Sequence, residues 1–287
     1  MSVKYHVEMV ANYHCRCGEG PLWDERRQLL FWTDIPAGRL FRYDRVSARH
    51  EPIYQGELVG GFTLQDDGSL LLFGADRISR MGDDGRVEVL VDGIDADMDR
   101  FNDVIADPQG RVYAGTMADD PQRGGLYRVD TDGAVRCLFR GTGCSNGMGF
   151  TPDQRGFYWT CSTTRRIFRF DYDQDTGDLS NRVELIAVSQ AEGIPDGLTL
   201  DAEGNIWSAR WGGFGVYKFS PAGQQLEKID LPVEKVSSAM FGGAGLDELY
   251  LTTAGGTDDS DTADGALFRV KLAVRGVVEF RSRVLMS

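Results

Sequence analysis

Four polar residues recur at one spacing in this chain. Glu19, Asn102, Asn146 and Asp196 stand 12, 11, 12 and 11 residues ahead of the aromatic residues Phe31, Tyr113, Tyr158 and Trp207, and all four fall in tight or glycine-containing contexts, CGEGP, RFNDV, SNGMG and PDGLT. Two carboxylates and two amides brought to one place make an all-oxygen site. Their negative charges would repel in a partly dry setting, so they call for a cation. Oxygen-only ligation suits Ca²⁺, Mg²⁺ or Mn²⁺, and Ca²⁺ best, because its coordination of six to eight accepts carboxylate, amide carbonyl and water together. Zn²⁺ or Fe²⁺ in a site with open positions stays as an alternative. Taken singly the residues read more plainly: Glu19 as a solvated turn residue, Asn146-Gly147 as an ordinary turn, Asp196 as a strand-start cap. Only the shared register joins them.

Other chemistries find little material. The three histidines, His6, His14 and His50, all lie in the first fifth of the chain, and none sits in a recognisable catalytic context for a Ser-His-Asp or Cys-His arrangement. The five cysteines, Cys15, Cys17, Cys137, Cys144 and Cys161, are odd in number and irregular in spacing, which is neither a disulfide framework nor a zinc motif. With 31 Lys+Arg against 44 Asp+Glu, the net charge of −13 opposes binding to a phosphate backbone. No apolar run is long enough to span a membrane. The N-terminus has no apolar signal core, so a reducing cytoplasm is expected.

The aromatic markers belong to a repeat that must position these residues. The phrase is a turn with Asp, Pro or Gly followed by a short β-branched or aromatic run: PLWDERRQLLFWTD, LQDDGSLLLFG, ADPQGRVYAGT, TPDQRGFYWTC, LDAEGNIWSAR and GAGLDELYLTT. Its markers Phe31, Phe73, Tyr113, Tyr158, Trp207 and Tyr250 are spaced by 40 to 49 residues. A second phrase of alternating apolar and polar residues follows each copy (GRLFRYD, DRISRMG, GGLYRVD, RRIFRFD, FGVYKFS, GALFRV), the pattern of half-buried antiparallel strands. Six copies with room for four short strands each predict an all-β chain, a six-bladed β-propeller with the metal site in its central channel, as one domain over residues 1–287. A β-sandwich gives no reason for six-fold self-similarity, and β-helix rungs are shorter. Both chain ends, VKYHVEMVAN and VVEFRSRVLM, read as strands that complete a blade, and GGTDDSDTADG (255–265) as a mobile loop. In the two remaining blades the register offers Gly61 or Phe62 and Ser238 or Ala239, small or apolar residues that leave an opening.

GEGPLWDERRQLLFWTDIPAGRLFRYD, RFNDVIADPQGRVYAGTM, SNGMGFTPD and PDGLTLDAEGNIWSARWGGFGVYKF, in that order, resemble the regucalcin/gluconolactonase family over essentially the whole chain. The resemblance implies a six-bladed propeller with one divalent metal in its channel and hydrolysis of sugar-acid lactones. It makes Glu19, Asn146 and Asp196 the metal ligands, places Asn102 beside the metal against substrate, and gives Arg100 contacts to substrate hydroxyls or the carbonyl side. The substrate-binding acid after G-T-M falls on Asp120, with Asp119 its rival. Many relatives carry glutamate there, so the reach is one methylene shorter and sugar preference is in question. Read from the residues alone, Arg100 could equally form a surface ion pair with Asp97 or Asp99. Trp211, Gly212 and Gly213 edge the pocket mouth or simply pack.

The activity so implied is hydrolysis of an aldonolactone such as glucono-, xylono- or arabinonolactone. The cation polarises the lactone carbonyl, and Asp196 accepts the proton of the attacking water unless the cation alone activates it. Arg100, Asn102 and Asp120 orient the sugar. The expected partner is that small lactone, with neither nucleic acid nor membrane, and a monomer is the default. Two other readings stay open: a phosphotriesterase-type hydrolase on the same scaffold, and a non-catalytic metal-binding regulatory protein. A luciferin-regenerating role rests on family breadth alone.

Overall fold

The computed structural model describes residues 5–95, 98–257 and 261–286. It contains six antiparallel sheets of four strands each, arranged as the blades of a propeller. Five blades are continuous in sequence. Their inner strands are Gly18–Asp24, Gly61–Leu64, Arg100–Ala106, Ser145–Phe150 and Ile194–Leu200. In the sixth, which begins with Val236–Gly242, the outermost strand is Val7–Asn12 from the chain's start, paired with Ala266–Lys271. The ring is therefore closed by hydrogen bonds between its two ends.

Strand character within a blade follows its distance from the axis. Inner and second strands are packed on both faces and read as unbroken apolar runs, such as Leu70–Phe73 and Gly156–Cys161, every residue buried. Outer strands such as Arg49–Gln55 are largely exposed and polar. The turn phrase that marks each repeat has a mechanical basis. Asp107 Oδ1 accepts the N–H groups of Gln109 and Arg111, and Asp201 Oδ1 those of Glu203 and Asn205, so an aspartate side chain shapes the hairpin from inside.

The apolar core is divided. Among the described residues, six clusters of buried side chains lie one at each blade interface: Trp207 with Phe241 between blades 5 and 6, Trp23 with Tyr250 between 6 and 1, Phe31 with Phe62 between 1 and 2. All six marker aromatics are buried in them. Because the core is distributed around the ring, the axis carries no obligation to be apolar.

One expectation needs correction. Residues 277–286 do not add a strand to a blade. All four positions of the sixth sheet are taken, so the segment runs extended across one face and finds partners in loops. Gly276 and Ser282 donate backbone N–H to the carbonyls of Leu246 and Leu64, Arg283 to Gly110 and Leu285 to Thr131. Arg281 Nη2 donates to Asp24 Oδ1 at 2.6 Å, and the Phe280 ring stands 6.0 Å from that of Phe150. The C-terminal segment thus closes the channel at the ends of the inner strands and leaves it open at their beginnings. Of the acidic stretch 255–265, residues 258–260 lie outside the described residues.

Candidate metal centre and substrate cavity

Glu19, Asn102, Asn146 and Asp196 all sit at the beginnings of inner strands, where the ladder to the second strand breaks. The register shifts between Glu19 and Leu22, Phe101 and Val104, Asn146 and Met148, and Pro195 and Leu198. Such bulges re-aim side chains that a regular pleat would send between blades. They also explain the one-residue difference in spacing. Glu19 and Asn146 are the last paired residues before the break, whereas Asn102 and Asp196 are the first inside it.

These four side chains, with Arg100, line one cavity of about 380 Å³, within the range of small-molecule sites. Cys17, Met117, Cys144, Ser162, Thr163, Ile194 and Trp211 complete its wall. Glu19, Asn102, Asn146 and Asp196 are each less than 9% exposed. Arg100 turns into the cavity: Nη1 donates to Asn102 Oδ1 at 2.6 Å and to the Phe101 carbonyl at 2.9 Å, and Nη2 to Met117 Sδ at 3.1 Å. It forms no surface pair with Asp99, which instead accepts the Asp119 N–H and faces Arg123, while Asp97 lies outside the described residues. Asp120 is exposed on the loop after Met117, its Oδ1 accepting the Gln122 N–H, and it does not line the cavity wall.

The electrostatics call for positive charge. Burial, then Asp196 and Asp103, push the Glu19 carboxyl well above the ordinary range, against the Gly20 N–H and Arg100. Burial and Asp103 do the same to Asp196, against Arg100 and hydrogen bonds from Asn146 and the Gly197 backbone. Asp196 Oδ1 is buried without a hydrogen-bond partner. Two buried carboxylates, one with an orphaned oxygen, and an amide oxygen fit a hard divalent cation. No three His, Cys, Asp or Glu side chains converge as metal ligands among the described residues, so the amide of Asn146 is needed to complete the set.

Beneath this cavity the channel narrows to about 40 Å³ between Gly20, Phe62, Asp103, Ser238 and Glu279. The small or apolar residues foreseen for blades 2 and 6 lie here. So do two carboxylates that the register did not single out. Asp103 enters because it follows Asn102 within the bulge, and Glu279 is delivered by the C-terminal segment. Burial raises Asp103 to about 6, and burial with Asp103 raises Glu279 to about 7. Ser162 was also missed. It stands just past the second strand of blade 4, level with Trp211 just inside the end of its strand in blade 5, and that shared level is the signal that could have drawn notice.

Residues 17–255 match the family model described as SMP-30/Gluconolactonase/LRE-like region. A pentonolactonase of Haloferax volcanii, XacC, is 44% identical over 98% of this chain and 99% of its own. Human regucalcin is 32% identical over 96% and 97%. The crystal structure of a calcium-binding protein, regucalcin, from Agrobacterium tumefaciens superposes with a TM-score of 0.90 at 25% identity, over 98% of each chain.

Proposed function

The chain belongs to the SMP-30/gluconolactonase/LRE-like family, and on that footing we propose that it is a metal-dependent lactonase that opens a sugar-acid lactone to the free aldonic acid. Five-carbon lactones are the first substrates to test, since a relative 44% identical to this chain is named a pentonolactonase. The observation that carries the reading is the pair of buried carboxylates, Glu19 and Asp196, beside an amide oxygen in one cavity of sugar size.

In this reading Glu19, Asn146 and Asp196 hold one divalent cation, with Ca²⁺ favoured over Mn²⁺, Mg²⁺, Zn²⁺ and Fe²⁺. Bound there, the cation supplies Lewis acidity toward the lactone carbonyl. Arg100, braced by Asn102 Oδ1, presents N–H donors to the ring substituents, and with Asn102 it aligns the ester with the carboxylates. Met117, Ile194 and Trp211 give the C–H face of the sugar an apolar wall. Asp120, exposed where the loop leaves Met117, reaches hydroxyls that project from the mouth. Asp196 takes the proton as water oxygen bonds to the carbonyl carbon. It returns that proton to the ring oxygen when the ester C–O bond breaks.

The test is acid release from pentono- and gluconolactones after chelation, then with each cation restored singly, using Asp196→Ala as control. Activity restored by a cation and absent in the variant is expected. Silence toward every lactone, with turnover of a phosphotriester by the cation-loaded protein, overturns the lactonase reading. We further propose that the chain acts as a monomeric single domain in the cytoplasm. No helix among the described residues is long and apolar enough to cross a membrane, and a solution mass above 31.8 kDa would contradict the monomer.

A further inference from the structure

A directed line of hydrogen bonds crosses the cavity floor from blade 3 to blade 5. Arg100 Nη1 donates to Asn102 Oδ1 at 2.6 Å. Asn102 Nδ2 donates to Asn146 Oδ1 and to the Ser145 carbonyl, each at 3.1 Å. Asn146 Nδ2 donates to Ser162 Oγ at 3.1 Å, and the Ser162 hydroxyl donates to the Pro195 carbonyl at 2.6 Å. Asp196 is the next residue.

The direction of this line does not depend on how either amide is drawn, because both ends are chemically one-way. A guanidinium can only donate and a backbone carbonyl can only accept. Arg100 therefore fixes oxygen as the Asn102 atom that faces it, which sends the Asn102 amide nitrogen toward Asn146. From the other end, Ser162 has a single proton and the Pro195 carbonyl takes it. Toward Asn146 the Ser162 oxygen can then only accept, and it demands the Asn146 nitrogen. The Asn146 oxygen is left with one lone pair on Asn102 and one free.

We infer that Ser162 is a positioning residue that sets the polarity of the Asn146 amide, so that its oxygen and not its nitrogen is offered to the cation. This rests on the metal reading above. Removing the hydroxyl takes away the acceptor that holds the Asn146 nitrogen and leaves only the Asn102 N–H to hold its oxygen. Cys144 Sγ lies 3.7 Å from Asn146 Nδ2, within reach of the oxygen of a turned Asn146 amide. The turned amide would set its nitrogen against the Asn102 N–H and offer the cation no oxygen.

The experiment is Mn²⁺ titration of the chelator-treated protein, followed by electron paramagnetic resonance of the free ion. It compares the parent, Ser162→Ala, Ser162→Thr, Asn146→Asp and the double variant Ser162→Ala/Asn146→Asp. Ser162→Ala should weaken Mn²⁺ binding by about tenfold or more, the loss typical when a group that orients a metal ligand is removed. Ser162→Thr, which keeps the hydroxyl, should restore it. A carboxylate has two equivalent oxygens and no polarity to set, so in the Asn146→Asp background the same Ser162→Ala change should cost less than about twofold. An equal loss in both backgrounds marks a merely structural effect and overturns the inference, as does unchanged affinity in Ser162→Ala. If Ser162→Ala does not fold, Ser162→Cys, of similar volume but a poor acceptor, takes its place with the same expectation. A parent chain that binds no Mn²⁺, Ca²⁺ or Zn²⁺ overturns the metal reading itself, and this inference with it.

Discussion

Gly147 is packed so closely on the backbone around Asp196 that a methyl group in its place would stand 2.7 Å from the Asp196 carbonyl oxygen and 2.4 Å from the Leu198 nitrogen. The contact joins two ligand-bearing strands of neighbouring blades, Ser145–Phe150 and Ile194–Leu200, at the level of the carboxylate. Glycine is required here for approach, and the distance between two candidate ligands depends on it. Gly147→Ala should lower stability by about 1–3 kcal/mol, the usual cost of overpacking, and weaken cation binding together with it. Denaturant melts and Mn²⁺ titration of the variant check both. Full affinity for the cation would show that the two ligands do not rely on this contact.

Asp196 carries the largest share of the proposed chemistry, as ligand and as proton acceptor. Asp196→Asn keeps the shape and removes both the charge and the basic oxygen. At cation concentrations high enough to fill the site, kcat should still fall by about 10²-fold or more, the usual contribution of a positioned base. Near-normal kcat with the cation bound would remove the base role and leave Asp196 as a ligand only.

Arg100 and Asp120 separate inner-wall recognition from recognition at the mouth. A guanidinium hydrogen bond to substrate contributes about 1.5–3 kcal/mol, so Arg100→Ala should raise KM by roughly tenfold or more with a smaller effect on kcat. A pure kcat loss would place Arg100 on the developing oxyanion instead. Asp120→Ala should raise KM for polyhydroxylated lactones and leave an unsubstituted lactone unaffected. Equal effects on both would place Asp120 outside sugar recognition. Michaelis curves with the two substrates decide it.

Much of this architecture was legible because the repeat is written in turn aspartates and marker aromatics, and those have fixed structural duties. The axial register was readable for the same reason: Glu19, Asn102, Asn146 and Asp196 hold equivalent places ahead of buried aromatics. Asp103 was not readable, since whether a residue after Asn102 points between blades or into the channel depends on a bulge that leaves no mark in the sequence. Ser162 was hidden differently. It shares with Trp211 a place just past a marker aromatic, but its meaning lies in a bond to Pro195 of the next blade, which that spacing does not show. The tail around Glu279 has the alternation of a strand, yet the last sheet had no edge left to receive it.

Glu279 gives the channel a pH signature. Burial and the Asp103 charge raise its carboxyl from the ordinary value near 4.5 to about 7. Across that window the folded chain keeps a proton that the unfolded chain has released, so the folded state binds more protons and stability falls as pH rises. Asp103, raised to about 6, acts in the same direction at the lower end of the window. Glu279→Gln is neutral throughout and escapes the penalty. With chelator present to hold the upper site constant, the variant should match the parent in Tm near pH 4.5 and exceed it by a few degrees at pH 8, with the gap opening between pH 5 and 7. Scanning calorimetry of both proteins across this range is the measurement. A gap that is constant with pH would mean that Glu279 ionises freely in the folded chain, and that the channel below the cation site is open to solvent despite the segment that crosses it.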